Sequence, residues 1–275
     1  AAGGVGTAVL QLLQTVDDIC SFGTASATKH PYIEALGCTH PIDYHSQDYV
    51  QEIHRITGGG GLDLVLDPLV ARQDQLSNLH ANTQVPKLIG LARLHELTGK
   101  EDQRVAPRFF WETVTRHHSY VIGGNADREY FSAPDTIAEH ITEQTCEHCN
   151  TYNMLKLTGH LFGWNPDGAL FDYYERAHLN HVLSAQNPRT AGFTYMTPLM
   201  SGTAREYSKP DEDAFWCCVG SGMESHAKHG EAIFWESGDT LFVNLYIPAE
   251  AQWQARGAQI TLDTNYPFEP ETRLR

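Results

Sequence analysis

The first 69 residues alternate between short apolar runs and longer stretches with apolar positions at helical spacing. The apolar runs predict strands, and the longer stretches predict helices, one of which opens at Gly3–Gly6 and runs to about Val16. The other predicted elements are the strands Ile19–Gly23, Pro41–Tyr44 and Leu62–Leu66 and the helices Lys29–Gly37 and Asp48–Thr57. Strands that alternate with helices are typical of βαβ units, so this segment predicts a parallel sheet.

From residue 70 the pattern changes to successive helices joined by turns. The predicted helices are Leu79–Leu97, Asp102–His117, Cys149–Phe162, Gly168–Ser184 and Gly220–Trp235. Repeated helix pairs favour an α/α toroid over a simple four-helix bundle. Near the end, Leu241–Ile247 and Ala258–Leu262 read as strands. We therefore predict three domains: residues 1–69, residues 70–237, and a β-domain that begins at residue 238.

Composition narrows the possible partners. The chain has 275 residues, of which 41% are hydrophobic and 19% charged, as in a globular protein. Its net charge of −15 argues against nucleic acids and anionic membranes, which bind clustered Lys and Arg. No apolar run reaches the ~18 residues that a membrane span needs. The chain shows no signal-peptide pattern, which favours a cytoplasmic location.

A glycine-rich turn at the start of the chain suggests a nucleotide site. Gly3, Gly4 and Gly6 open the first predicted helix, and a helix N-terminus with glycines before it attracts a pyrophosphate. Ser26 and Lys29 follow the next predicted strand, where a hydroxyl and an ammonium suit a 2′-phosphate. The alternative is an ordinary glycine-rich turn.

The cysteines are spaced as pairs rather than as a disulfide framework. Cys146 and Cys149 are three apart, and Cys217 and Cys218 are adjacent. A close pair combined with a distant pair is a common way to supply four ligands to zinc. Two ligand sets fit the spacing: the four cysteines, or Cys149, Cys217 and Cys218 with Glu147 in place of Cys146. The third possibility is that these cysteines are small buried apolar residues.

The N-terminal segment resembles a known family through three motifs. They are AAGGVG at residues 1–6, FGTASATKH at residues 22–30 and THPIDYHSQDYVQEI at residues 39–53. Together they are similar to the quinone-oxidoreductase branch of the medium-chain dehydrogenases, close to its synaptic-vesicle-membrane-protein type. The resemblance implies a partial Rossmann-like domain that binds NADP, with contacts from Gly3, Gly4, Gly6, Ser26 and Lys29.

The remainder of the chain resembles a different family. The motifs are Leu79–Lys87, Tyr120–Asn125, Cys149–Leu157, Asp172–Ala177, Tyr195–Leu199 and Phe215–Gly220. In this order they resemble the glycoside hydrolases of families 127 and 146, which include β-L-arabinofuranosidases. The resemblance implies a mainly α protein: a partial (α/α)6-barrel over residues 70–237, followed by the start of a β-sandwich.

The same resemblance assigns roles to individual residues. It implies that Cys217 is the nucleophile of a retaining glycosidase and that Glu129 is the acid/base. It implies a zinc ion bound by Glu147, Cys149, Cys217 and Cys218, and a sugar contact from His80.

Several features nearby open other assignments. Glu143 is a rival acid close to Glu129. His148 replaces the small hydroxyl residue usual in the family between Glu147 and Cys149, and Cys146 is an extra thiol that competes for the metal.

The two resemblances meet without a linker at residues 62–73. Natural fusions usually join whole domains through a polar or Gly/Pro-rich segment, so we hypothesise a chimeric chain. The best-supported function is a glycosidase that acts on a carbohydrate with β-L-arabinofuranosyl groups. The alternatives are an NADPH-dependent quinone oxidoreductase fragment and a fold that binds zinc only for stability.

Overall fold

The computed structural model describes residues 10–11, 13–15, 19–59, 72–209 and 215–275. Three predicted features lie outside these described residues: the glycines Gly3, Gly4 and Gly6, the predicted strand Leu62–Leu66, and most of the junction between the two resemblances. The chain divides into two compact units, Ala1–Leu66 and Asp67–Arg275.

The first unit contains a pair of parallel strands. Strand β1 (Phe22–Ala25) pairs in parallel with β2 (His40–Asp43), with Phe22 opposite His40. Between them lie a 3₁₀ turn (Ala27–Lys29) and helix α1 (His30–Ala35), and helix α2 (Tyr49–Ile56) follows β2. The predicted strand–helix–strand order is therefore present, although β1 begins three residues later than the predicted strand Ile19–Gly23.

The second unit is rich in helix. Its helices are α3 (Ala81–Thr98), α4 (Asp102–His117), α5 (His148–Trp164), α6 (Gly168–Ala177) and α7 (Cys217–Ala227). α6 continues into a π-helical turn (His178–Val182) and a 3₁₀ turn (Leu183–Ala185), so the predicted helix Gly168–Ser184 is helical in three different hydrogen-bond patterns.

Local sequence explains where these helices end. α3 stops at Gly99, whose left-handed backbone (φ 70°) lets its N–H bond to His95 O at 2.8 Å. α6 starts behind Asp167, whose carboxylate accepts the N–H of Ala169 at 3.0 Å.

The core of the second unit lies between α3, α4, α5 and α6. Its fully buried side chains include Val85 and Leu88 from α3, Phe110 and Val114 from α4, and Leu157 and Leu161 from α5. α5 is buried along most of its length, and this burial fixes the position of its N-terminus. No helix among the described residues has the length and apolar character that crossing a membrane requires.

The prediction of one helix over Gly220–Trp235 is wrong in its second half. α7 ends at Ala227, and strand β3 (Phe234–Ser237) pairs antiparallel with β4 (Thr240–Val243). The Trp235 ring lies against Gly159 and Gly163 of α5, where a side chain on either glycine would contact it. Tertiary packing of this aromatic residue therefore overrides the helical pattern. A three-stranded antiparallel sheet of β5 (Ala249–Trp253), β6 (Ala258–Thr264) and β7 (Thr272–Leu274) completes the unit.

Candidate functional site

Two helix N-termini bring four ligand groups together. Glu147 precedes α5 in an extended conformation (φ −60°, ψ 131°), and Cys149 lies in the first turn of that helix. Cys217 and Cys218 open α7 behind the extended Trp216. One ligand atom from each of Glu147, Cys149, Cys217 and Cys218 lies within 4.8 Å of the others. Free N–H groups at a helix N-terminus favour negative charge, so both helices support thiolates here.

The distances within this Glu/Cys cluster match a tetrahedral metal site. Cys149 Sγ is 3.4 Å from Cys218 Sγ, and Cys217 Sγ is 3.8 Å from Cys218 Sγ. Glu147 Oε1 is 3.9 Å from the sulfurs of Cys217 and Cys218. Zinc–sulfur bonds near 2.3 Å in a tetrahedron place two sulfurs roughly 3.8 Å apart. The four residues therefore need little movement to bind one zinc ion.

When no cation is bound, some of the four acidic groups of the cluster are protonated at neutral pH. Burial, followed by the charges of Cys149 and Glu129, raises the pKa of Glu147 to about 8. Hydrogen bonding from Cys218 lowers the pKa of Cys149 to about 6, while the pKa of Cys218 is raised. Glu147 Oε2 is also buried and has no hydrogen-bond partner among the described residues. A buried acceptor with no donor beside three thiols fits a site built for a cation.

The extra thiol of Cys146 is not part of this cluster. Cys146 has a left-handed backbone (φ 57°), and its side chain is fully buried against Gly124. A Cβ added at Gly124 would lie 2.7 Å from Cys146 Sγ. Of the two ligand sets left open by the spacing, the structure gathers the one with Glu147. His148 also lies outside the cluster, because its Nε2 bonds to Ser225 Oγ on α7 at 3.2 Å.

Glu129 lies in a constrained loop beside the cluster. Ala126, Arg128 and Glu129 all have positive φ angles (69°, 46° and 71°), a conformation that residues other than glycine adopt at a cost. The loop is held by a hydrogen bond of 2.8 Å from Ala81 N to Glu129 O. His80 Nε2 lies 3.4 Å from Glu129 Oε2, so the two predicted residues meet. Both side chains remain half-buried.

The rival acid Glu143 has a different environment. Its carboxylate pairs with Arg128 Nη2 at 2.7 Å, and its pKa is lowered by a backbone hydrogen bond and by Arg128. A carboxylate whose pKa is lowered is a poor proton donor at neutral pH, so Glu143 is poorly suited to act as an acid.

Sequence reasoning missed Tyr195 as a site residue. Its hydroxyl donates a hydrogen bond to Glu129 Oε1. Burial raises the pKa of the Cys217 thiol, and a hydrogen bond between Tyr195 and Cys217 partly opposes this rise. The carbonyl of Tyr195 accepts the N–H of His148 at 3.0 Å, which ties it to the start of α5. The signal was its position in the motif Tyr195–Leu199, but sequence alone did not connect this stretch to Glu129.

The predicted nucleotide-binding residues are only partly within the described chain. Ser26 and Lys29 follow the carboxyl end of β1, where Ser26 Oγ lies 3.3 Å from Thr28 Oγ1. The carboxyl ends of parallel strands are where nucleotides bind in open α/β sheets.

Two solved glycosidase structures have a similar fold. A GH127 β-L-arabinofuranosidase from Geobacillus stearothermophilus T6 aligns at a TM-score of 0.61 and 22% identity, covering 83% of this chain and 39% of that one. A second GH127 β-arabinofuranosidase aligns at a TM-score of 0.64 and 24% identity, covering 76% of this chain and 33% of that one. These likenesses concern the fold, and this chain spans about a third to two-fifths of each structure.

Curated relatives match a smaller part of the chain. The synaptic vesicle membrane protein VAT-1 homolog of Rattus norvegicus is 43% identical over 111 residues, which is 40% of this chain and 27% of the relative. The VAT-1 homolog-like protein of Homo sapiens is 51% identical over 69 residues, which is 25% of this chain and 16% of the relative. These matches confirm the resemblance to quinone-oxidoreductase-type proteins. This chain spans about a quarter or less of their length.

A family model matches the part of the chain that contains the helices of the second unit. The model of the β-L-arabinofuranosidase GH127 catalytic domain matches residues 61–231, which is more than half of the chain and includes every member of the Glu/Cys cluster. The chain therefore belongs to the GH127 β-L-arabinofuranosidase family.

Proposed function

We propose that the chain is part of a retaining glycosidase that releases β-L-arabinofuranosyl groups by attack from Cys217, one of four residues that would hold a zinc ion. The observation that carries this proposal is the meeting of Glu147, Cys149, Cys217 and Cys218 within 4.8 Å, beside Glu129. An exposed nucleophile and a separate carboxylic acid are the two groups that retaining hydrolysis needs. The substrate class rests on the family, whose described members act on β-L-arabinofuranosides.

The four cluster residues are the proposed zinc ligands. A free thiol has a pKa of about 8.5 and is mostly protonated at neutral pH. A bound zinc ion would supply positive charge that keeps the cluster thiols deprotonated. The three buried ligands, Glu147, Cys149 and Cys218, are inaccessible to a substrate, whereas Cys217 is exposed. This difference in exposure supports Cys217 as the proposed nucleophile.

The proposed reaction has two steps that balance at the anomeric carbon. First, Cys217 Sγ forms a bond to that carbon as its bond to the leaving oxygen breaks, and Glu129 gives its proton to that oxygen. Second, Glu129 takes a proton from water, whose oxygen bonds to the anomeric carbon while the carbon–sulfur bond breaks. Tyr195 and His80 contact the two oxygens of Glu129 and so hold its carboxyl group in place.

Hydrolysis of a chromogenic aryl β-L-arabinofuranoside tests this assignment. We expect zinc-dependent turnover by the 275-residue chain, abolished by Cys217→Ala. Cys20→Ala is the matched control, because Cys20 is also an exposed free cysteine but belongs to the other compact unit. Equal rates for the Cys217→Ala variant and the control would rule out the proposed nucleophile.

A second candidate function concerns only residues 1–69. We infer that this segment derives from a nucleotide-binding domain of a quinone oxidoreductase, because its described part has the strand–helix–strand order and the chain is similar to VAT-1 homologs. NADPH fluorescence titration tests this idea, with Lys29→Ala expected to weaken binding. An absence of NADPH binding would leave the segment without a nucleotide role.

The abutting resemblances also support our proposal that the chain is chimeric. Sequencing of the transcript across residues 60–75 tests it. A continuous transcript from one locus would contradict an artefactual fusion.

A further inference from the structure

Two asparagines from the motifs of the helical unit have no role in the reaction proposed above. Asn82 lies in the first turn of α3, and Asn153 lies one turn after Cys149 on α5. Asn153 Nδ2 donates to Asn82 Oδ1 at 2.9 Å, and Asn82 Nδ2 donates to Glu147 Oε1 at 3.4 Å. The two amides thus form a chain that ends on one of the proposed metal ligands.

We propose that Asn153 and Asn82 act as an amide relay that orients the carboxylate of Glu147 for metal binding. The inference rests on the proposed metal site and adds two positioning residues to it. Neither asparagine is a ligand or a catalytic residue, because each acts on the metal only through Glu147.

The direction of the hydrogen bonds gives the relay its function. A side-chain amide has a donor end and an acceptor end, and turning it over exchanges them. Because Asn153 donates to the carbonyl oxygen of Asn82, the NH₂ group of Asn82 must face Glu147. If that amide turned over, its oxygen would face the carboxylate oxygen and repel it. Asn153 therefore selects the orientation in which Asn82 supports a negatively charged Glu147.

The position of Glu147 makes such support necessary. Glu147 is the last residue before α5, so the helix does not fix its side chain. Among the described side chains, Glu147 Oε1 contacts Asn82 and the thiols of Cys217 and Cys218, and the carboxyl group also interacts with Cys149. Outer partners of metal ligands typically contribute about tenfold to a hundredfold in metal affinity.

The alternative is that the two asparagines only join α3 to α5. A second amide pair on the same helix separates the two possibilities: Asn150 Nδ2 donates to Asn125 Oδ1 at 3.3 Å, and both residues are buried. This pair ends on the loop residue Asn125 rather than on a cluster residue. Asn125→Ala is therefore a control for the loss of an amide pair that joins α5 to another segment.

The test is a zinc-affinity measurement by chelator competition on the full chain. We expect the Kd for Zn²⁺ to rise about tenfold to a hundredfold in Asn82→Ala, and by less in Asn153→Ala. In the Asn82→Ala background, Asn153→Ala should add nothing, because Asn153 acts only through Asn82. Asn125→Ala should bind zinc as the wild type does.

Three results would overturn the relay. One is a zinc Kd within about twofold of wild type in both single variants, against the tenfold or larger change expected. Another is that Asn153→Ala raises the zinc Kd by the same factor in the wild type and in the Asn82→Ala background. The third is an equal loss in Asn125→Ala. A wild-type chain that binds no zinc would instead remove the proposed metal site itself.

A spectroscopic measurement keeps the relay testable if Asn82→Ala does not fold. Asn153 is a half-buried residue inside α5, where alanine favours the helix, so Asn153→Ala should keep the fold. With Co²⁺ in place of zinc, we expect its visible absorption bands to shift in this variant because the carboxylate ligand changes orientation. Bands identical to those of the wild type would contradict the proposal.

Discussion

The helical unit buries two kinds of titratable group side by side, and burial favours the neutral form of both by shifting their pKa values in opposite directions. Burial lowers the pKa of His148 and His178 to about 4 and that of His181 to about 3, so these histidines are neutral. In the Glu/Cys cluster, burial raises the pKa of Glu147 to about 8, while hydrogen bonding lowers that of Cys149 to about 6.

The difference lies in what each group can do without charge. A neutral imidazole still pairs with hydroxyl groups, as His181 Nδ1 does with Thr151 Oγ1 at 2.7 Å and His148 does with Ser225. In the cluster, Glu147 Oε2 has no donor among the described residues. The cluster is also the group of side chains found among the described residues that could hold a metal ion. Burial therefore leaves the histidines packed as neutral groups, whereas in the cluster it gathers four ligands that could hold a metal ion.

The largest effect is expected from removal of the proposed nucleophile. Cys217→Ala should lower kcat on an aryl β-L-arabinofuranoside at least about a thousandfold, because the covalent route is lost. Mass spectrometry after rapid quenching should show a sugar adduct on Cys217 in the wild type. An adduct on another residue would contradict the assignment.

The next effect concerns the acid. Glu129→Gln should lower kcat about 10²–10⁴-fold on a substrate with a poor leaving group, since proton donation is lost. On a nitrophenyl substrate kcat/KM should be affected much less, because that leaving group needs no proton, whereas kcat should still fall because Glu129 also activates water in the second step. Zinc affinity should stay unchanged, and a large loss of zinc would instead make Glu129 part of the metal site.

Metal binding should release protons. At pH 7 the metal-free Glu147 carboxyl, with a pKa near 8, is mostly protonated and must ionise to bind zinc. Isothermal titration in two buffers with different ionisation enthalpies measures the released protons. We expect zinc affinity to rise with pH between 6 and 8, and pH-independent binding would contradict the cluster.

The histidines should give a separate acid effect on stability. Their folded-state pKa values lie below the unfolded value of about 6.5, so between those values the unfolded chain binds more protons. The contribution of these histidines to the free energy of unfolding is therefore fully present above about pH 6.5. It falls as the pH drops toward 4, by on the order of 1–3 kcal/mol per histidine. Urea unfolding at pH 5 and pH 7 measures this, and His178→Asn should reduce the difference. An unchanged difference in that variant would contradict the buried neutral state of His178.

The smallest expected effect on metal is that of Cys146→Ala. This thiol is buried but lies outside the cluster, and burial raises its pKa. Zinc stoichiometry and affinity should match the wild type, while the free energy of unfolding falls by about 1 kcal/mol for the lost packing. A loss of bound zinc would return Cys146 to the ligand set.

Sequence reasoning located the helices of the second unit well because their apolar spacing agrees with their burial. α4 matches its predicted bounds, and α5 differs from its prediction by a residue or two at each end. The helix predicted to reach Trp235 was wrong because that residue pairs with Phe242 in a hairpin and packs on α5, contacts that no local pattern reveals.

The candidate site was less visible. Spacing alone left the choice between Cys146 and Glu147 open, because it depends on the left-handed backbone at Cys146. Tyr195 and the asparagine pair were hidden because their partners lie far away in sequence. Long-range contacts therefore supplied what spacing could not.

Cobalt titration tests the central claim most directly. The account predicts that the full chain binds one equivalent of Co²⁺ with strong sulfur-to-cobalt charge-transfer bands and the visible bands of a tetrahedral site. Cys149→Ala and Cys218→Ala should lose these bands, whereas Cys146→Ala and Cys20→Ala should keep them. A wild-type chain without the bands, or bands that survive loss of Cys149 and Cys218, would contradict the account.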